Sequence, residues 1–117
     1  ITGDLAFFYD RNAFWHKYAT PNLRVVLINN HGGIIFNLID GPAHQPEAPE
    51  FFITEQKLNA RSLAREFNLA YYDASAALST YFGASEQACI LEIEGSQEAN
   101  KKIFEEFRHN LKQTYGA

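Results

Sequence analysis

The most constraining feature of this sequence is an apolar, largely β-branched run at residues 23–28 (LRVVLI). Turn-forming residues bound the run on both sides, with Pro21-Asn22 before it and Asn29-Asn30 after it. A short, continuous apolar run between turn signals predicts a strand that is covered on both faces, as strands of parallel sheets are.

The residues before this run predict its partners. Residues 6–18 carry aromatic side chains at helical spacing, and the chain opens on ITGD, which indicates a strand end followed by a turn. Strand, helix and strand in this order predict a βαβ unit with a right-handed crossover.

The remaining sequence continues the alternation of helices and strands. We predict a helical turn at 34–39, a long proline-containing loop at 40–57, a helix at 60–67 capped by Asn59, a strand at 69–72, a helix at 74–82, a strand at 88–94 and a final helix capped by Ser96. The final helix should bury a stripe formed by Ile103, Phe104, Phe107 and Leu111. The pattern predicts an α/β domain with a three-layer, doubly wound, mostly parallel sheet.

Composition narrows the function. A length of 117 residues suits one α/β domain, and a hydrophobic fraction of 46% is enough for a core. The net charge of −4 disfavours nucleic-acid binding, which needs a basic face. No apolar run reaches the roughly 20 residues that span a bilayer, and no signal peptide is visible. One cysteine, Cys89, cannot form an internal disulfide, and we expect a cytoplasmic protein. The absence of Met predicts that the chain is a piece of a longer one.

Two predicted strand ends carry oxygen-bearing groups, Gly3-Asp4 and the NNHGG segment at 29–33. Ligands of parallel sheets bind beyond the carboxyl ends of strands, and Asn30 follows Asp4 at the distance that one βαβ unit requires. A carboxylate from Asp4, an amide carbonyl from Asn30 and the backbone carbonyl of Gly32 form a hard oxygen set suited to Mg²⁺. Gly33 allows close approach of an anion, and a short helix from Ile34 would offer it N–H groups.

Each of these residues also has a plain structural interpretation. Asp4 and Asn30 are common turn residues, and the two glycines could simply make the loop flexible. The distance between Asp4 and Asn30 favours the metal site over that alternative. We do not expect His31 to be a ligand, because no second histidine lies at ligand spacing.

The same motifs carry a family resemblance. The GD and NN pair resembles the thiamine diphosphate fingerprint of the decarboxylase and synthase superfamily. GDLAFFYDRNAF and LINNHGGIIFNLID are similar to 2-succinyl-5-enolpyruvyl-6-hydroxy-3-cyclohexene-1-carboxylate synthase, which acts in menaquinone biosynthesis. Leu5 stands where most of the superfamily has a third glycine, as is usual in this synthase.

The resemblance implies that the whole chain, 1–117, is the C-terminal domain that binds thiamine diphosphate and Mg²⁺ or Mn²⁺. The implied cofactor-binding residues are Asp4, Leu5, Ala6, Asn30, Gly32, Gly33, Ile34 and Ile35; Asp4, Asn30 and Gly32 hold the metal, and Ile35 and Phe36 line the substrate pocket. Without the resemblance, Ile35 and Phe36 could equally be core residues.

The family reaction decarboxylates 2-oxoglutarate and adds the succinyl unit to isochorismate, with the cofactor as electron sink. The resemblance also implies a homo-oligomer in which a separate N-terminal domain supplies the activating acid. We therefore expect no catalytic residue in this chain and no activity from it alone. The alternatives are another thiamine diphosphate enzyme, such as an acetolactate synthase-like protein or a 2-oxoacid decarboxylase, and a non-catalytic binding domain of the same fold.

Overall fold

The computed structural model describes residues 1–38 and 46–116. The chain divides into two compact units: the first is Ile1–Asn29 with Lys57–Glu94, and the second is Asn30–Gln56 with Gly95–Ala117. The first unit contains β1 (Thr2–Gly3), α1 (Asp4–Tyr9), a 3₁₀ turn (Arg11–Phe14), β2 (Arg24–Asn29), α2 (Ala60–Glu66), β3 (Ala70–Asp73), α3 (Leu78–Tyr81) and β4 (Cys89–Glu94).

The four strands form one sheet in the order β1-β2-β4-β3, and every neighbouring pair is parallel. Successive side chains of β4 pack on opposite faces of the sheet, because the side chains of a strand alternate in direction. Ile90 packs with Phe7 of α1 and Leu63 of α2, whereas Cys89 and Leu91 pack with Tyr81 of α3. Helices therefore lie on both faces of a parallel sheet, which confirms the predicted α/β class.

The second unit contains a 3₁₀ helix (Ile34–Asn37), a π-helix (Ala48–Ile53) and α4 (Gln97–Tyr115). The rings of Phe36 and Phe52 join the two short helices, with centroids 5.9 Å apart. The predicted cap of α4 is confirmed, because the Ser96 side chain accepts a hydrogen bond from the Ala99 N–H at 3.1 Å. Within the residues that the structure describes, no helix is both long and apolar enough to cross a membrane.

The helix predicted at 6–18 is shorter than expected. It ends at Tyr9, and the separate 3₁₀ turn follows it, with the Ala13 N–H donating to the Asp10 carbonyl at 2.9 Å. Trp15 and Tyr18 are exposed rather than part of a buried stripe.

The helix predicted at 74–82 is reduced to α3, Leu78–Tyr81. The Asp73 side chain accepts the Ser75 N–H at 3.0 Å, and the Asp73 carbonyl accepts the Ala76 N–H at the same distance. These bonds form a turn that competes with a helix start.

Two expectations for the second unit were also wrong. Residues 48–53 of the predicted loop are helical, while positions 40–45 of that loop lie outside the described residues. The apolar stripe of α4 is not buried: Ile103 is 63% exposed and Phe107 57% exposed. Helical periodicity identifies an apolar face but does not supply a partner for it.

Candidate functional site

Asp4 lies directly after the edge strand β1. Thr2 and Gly3 pair in register with Leu27 and Ile28 of β2, so the carboxyl ends of both strands lie at one edge of the sheet. Asp4 is only 3% exposed and is the first residue of α1, whereas the sequence indicated a turn at this position. A carboxylate in the first turn of a helix is favoured by the helix dipole. Leu5 is half-buried and Ala6 is exposed.

The two asparagines that end β2 differ in their roles. Asn29 is completely buried, and its amide nitrogen donates to the Leu58 carbonyl at 2.9 Å and to Glu92 Oε1 at 2.8 Å. These bonds use both hydrogens of that amide. Asn30, the predicted ligand, follows as the first residue of the second unit and is half-buried. Asn29 is thus completely buried with its side chain held by the first unit, whereas Asn30 is only half-buried, and this difference in burial favours Asn30 as the ligand candidate.

The loop after Asn30 is held by backbone hydrogen bonds. The His31 carbonyl accepts the Gln56 N–H at 3.2 Å and the Gln97 side-chain amide at 3.1 Å. The Gly33 N–H donates to the Ile53 carbonyl at 2.6 Å. His31 has a φ of 64°, so the loop contains a left-handed residue that these bonds hold in place.

Gly32 fits this loop because it has no side chain. Its φ is 155°, and an added Cβ would lie 2.6 Å from Gln97 Nε2 and 3.0 Å from the Ile53 carbonyl oxygen. The Gly32 carbonyl accepts the Ile34 N–H at 3.0 Å. Since a carbonyl oxygen has two lone pairs, one remains for a cation. The Ile34 N–H is engaged in this bond. The expectation that it would be a free donor for an anion was therefore wrong.

The predicted site residues divide between the two units. Asp4, Leu5 and Ala6 belong to the first unit, and the remaining predicted residues, Asn30, Gly32, Gly33, Ile34, Ile35 and Phe36, belong to the second. Ile35 is 58% exposed and Phe36 half-buried, so neither is a core residue. Joint coordination of a cation by Asp4, Asn30 and Gly32 stays a prediction.

Residues 1–38 and 46–116 contain no group of three or more His, Cys, Asp or Glu side chains placed to hold a metal ion. The predicted set is of another kind, because it combines one carboxylate with one amide and one backbone carbonyl.

Comparison with curated proteins decides the family. The 2-succinyl-5-enolpyruvyl-6-hydroxy-3-cyclohexene-1-carboxylate synthase of Cytophaga hutchinsonii is 50% identical over 121 residues, which cover 98% of this chain and 22% of that protein. The synthases of the same name from Bacteroides thetaiotaomicron and Christiangramia forsetii are 31% and 30% identical, over 97% and 96% of this chain. This chain belongs to that synthase family.

The chain spans about a fifth of the length of these synthases, 22% of the Bacteroides protein and 20% of the Christiangramia protein. No family model matches it. The resemblance carried by its GD and NNHGG segments is thus confirmed at the level of the synthase family.

Sequence reasoning missed one polar network in this member of the synthase family. Glu92 is 1% exposed in the middle of β4, and its carboxylate accepts bonds from Asn29, from the Ala60 N–H at 3.1 and 3.2 Å, and from the Tyr71 hydroxyl at 2.8 Å. Burial and this carboxylate raise the pKa of Tyr71 from 10.0 to about 12. The available signal was a single acid within the apolar run 88–93 (ACILEI).

A cavity of about 400 Å³ opens beside this network, at the carboxyl ends of β3 and β4. It is lined by Asp73 and Glu94 at those strand ends, together with Arg61, Tyr71 and Glu92. The Arg61 guanidinium lies 4.7 Å from the centroid of the Tyr71 ring and 3.8 Å from the Asp73 carboxylate. This cavity is distinct from the predicted metal ligands, none of which lines it.

Proposed function

We propose that this chain is the C-terminal thiamine diphosphate- and metal-binding domain of a longer synthase. The whole enzyme would decarboxylate 2-oxoglutarate and add the succinyl unit to isochorismate in menaquinone biosynthesis. The observation that carries the proposal is the 50% identity to the Cytophaga hutchinsonii synthase across 98% of the chain.

The residues of the site fit a divalent cation by their chemistry. Asp4 offers a carboxylate, Asn30 an amide carbonyl and Gly32 a backbone carbonyl with a lone pair to spare. All three are hard oxygen donors, which Mg²⁺ and Mn²⁺ accept, and three protein ligands leave positions for phosphate oxygens and water. In this proposal Asp4, Asn30 and Gly32 hold the cation that anchors the cofactor diphosphate.

Other residues shape the site around that anchor. Leu5, Ala6, Gly33 and Ile34 belong to the same two segments and would contact the cofactor. The exposed Ile35 and half-buried Phe36 would form an apolar wall that keeps water from the reacting atoms. When bound, the cofactor supplies the electron sink for decarboxylation, and the chain supplies binding and orientation.

The proposal includes the setting of the whole protein. The activating acid and the basic residues that bind the substrate carboxylates would come from other parts of a cytoplasmic homo-oligomer. The chain alone would therefore be inactive.

The experiment is a comparison of substrates with the full-length protein. We expect turnover of 2-oxoglutarate with isochorismate, dependent on thiamine diphosphate and Mg²⁺, and none with pyruvate alone. Turnover of pyruvate only would identify another branch of the superfamily. Absence of cofactor binding would instead identify a non-catalytic domain of this fold.

A further inference from the structure

The buried carboxylate of Glu92 is not among the proposed cofactor-binding residues. It is hydrogen-bonded to Asn29, the last residue of β2, and the proposed ligand Asn30 is the next residue in the chain. Glu92 is almost completely buried, and burying a carboxylate is costly unless several donors satisfy it. Glu92 has three such donors, and each comes from a different element: Asn29 at the end of β2, Ala60 at the start of α2, and Tyr71 on β3. One side chain thus joins three elements.

The bond to Asn29 is the one that bears on the site. The Asn29 amide is held between Glu92 and the Leu58 carbonyl, so its side chain cannot rotate without breaking two hydrogen bonds, of which the one to Glu92 is buried. Asn29 is also the last residue of β2 and pairs in register with Glu94 of β4. Both its backbone and its side chain are therefore fixed.

Asn30 is joined to this fixed residue by one peptide bond, which sets the next Cα 3.8 Å away. The position of the Asn30 Cα therefore depends on where Asn29 is held. We infer that Glu92, acting through Asn29, is a positioning residue for the metal ligand Asn30. This inference rests on the proposed function, because it needs Asn30 to bind the metal.

A purely structural role for Glu92 is the competing interpretation, and Tyr71 separates the two. The Tyr71 hydroxyl donates to Glu92 Oε2, whereas the Asn29 amide donates to Oε1. Tyr71→Phe removes one donor to the same carboxylate but leaves the bond to Asn29 intact. It is the matched control for loss of stability without loss of positioning.

The test uses the full-length enzyme and measures Mg²⁺-dependent binding of thiamine diphosphate by titration calorimetry, at a temperature where thermal unfolding shows each variant to be folded. Asn29→Asp sets two carboxylates against each other, and we expect the Kd to rise roughly 10- to 100-fold, as when the groups that orient a metal ligand are lost. Glu92→Gln should weaken binding in the same direction. Tyr71→Phe should leave the Kd within about twofold of the wild type, because it shares no partner with Asn30.

The combined variant gives a second readout, the recovery of cofactor binding when the hydrogen bond between positions 29 and 92 is restored. In Asn29→Asp with Glu92→Gln, the new amide can donate to the new carboxylate, so we expect binding at least about threefold tighter than with Asn29→Asp alone. Wild-type enzyme that does not bind the cofactor would overturn the proposed function. Wild-type binding with unchanged Kd in the Asn29 and Glu92 variants would overturn the positioning role.

Equal weakening by Tyr71→Phe and Glu92→Gln would also contradict the inference, since both would then act through stability. The comparison of Tyr71→Phe with Glu92→Gln therefore tests the positioning role even if Asn29→Asp does not fold.

Discussion

Gly32→Ala is the substitution whose effect the structure defines most closely. The new Cβ would meet Gln97 Nε2 at 2.6 Å and the Ile53 carbonyl oxygen at 3.0 Å, and the backbone has a φ of 155°. The backbone conformation costs about 1–3 kcal/mol for a residue with a side chain. Moving Gln97 aside breaks its bond to the His31 carbonyl, which adds about 0.5–1.5 kcal/mol. We therefore expect the loop to lose about 2–4 kcal/mol of stability.

The assay is hydrogen exchange of the Gly33 and Ile34 amides, which donate to the carbonyls of Ile53 and Gly32. A loss of that size should speed their exchange by roughly 30- to 1,000-fold, since exchange follows the free energy of local opening. Two other glycines are matched controls. A Cβ on Gly3 meets nothing within 4 Å and its φ is −86°, while Gly116 has open space but a φ of 65°.

Gly3→Ala should leave the exchange of the loop unchanged, and Gly116→Ala should cost only the backbone strain at the end of α4. Equal exchange in the Gly32→Ala and Gly3→Ala proteins would refute the reasoning, because the close packing around Gly32 would then have no energetic effect.

Three further predictions concern stability. The pKa of Tyr71 is raised from 10.0 to about 12, so folding favours the protonated form of this side chain. This preference contributes at most about 2–3 kcal/mol to the free energy of unfolding, which is fully present below pH 10 and is lost as the pH rises towards 12. Urea unfolding at pH 9 and pH 11.5 should show a larger loss for the wild type than for Tyr71→Phe, and equal losses would contradict this. Ser96→Ala removes the cap of α4 and should reduce helix content by circular dichroism, at a cost of about 1 kcal/mol, whereas Ser96→Asn should not. Leu63→Ala creates a cavity at a side chain that is 3% exposed and should lower the free energy of unfolding by about 2–5 kcal/mol. Ile103→Ala, at an exposed position, is the control. A similar loss in that variant would show that the α4 stripe is covered.

Local signals in the sequence predicted most of the sheet and the helix caps. The run around β2 and the run around β4 are apolar because both strands lie inside the sheet, and each was placed to within one residue. Asn59 and Ser96 cap α2 and α4 through their own side chains. Such features depend on a few neighbouring residues, so sequence alone is sufficient to find them.

Features that depend on contacts distant in sequence were missed. The Glu92 network joins residues as much as 63 positions apart, and the residues near Glu92 in the sequence do not indicate its hydrogen-bond partners. The exposure of the α4 stripe and the π-helix at Ala48–Ile53 likewise depend on what packs against them. For the candidate site, the sequence predicted a metal-binding role for Asp4, Asn30 and Gly32, which stays a prediction. It did not predict the packing around Gly32 or the bonds that distinguish Asn29 from Asn30.

The central claim is that Asp4 and Asn30 hold the cation for thiamine diphosphate. Titration calorimetry of the full-length protein with thiamine diphosphate, with and without Mg²⁺, tests it most directly when repeated on Asp4→Ala and Asn30→Ala. We predict Mg²⁺-dependent binding by the wild type and a Kd raised at least about tenfold in each variant, with both proteins still folded. Unchanged affinity in both variants, or binding by the wild type that does not require a divalent cation, would contradict the assignment.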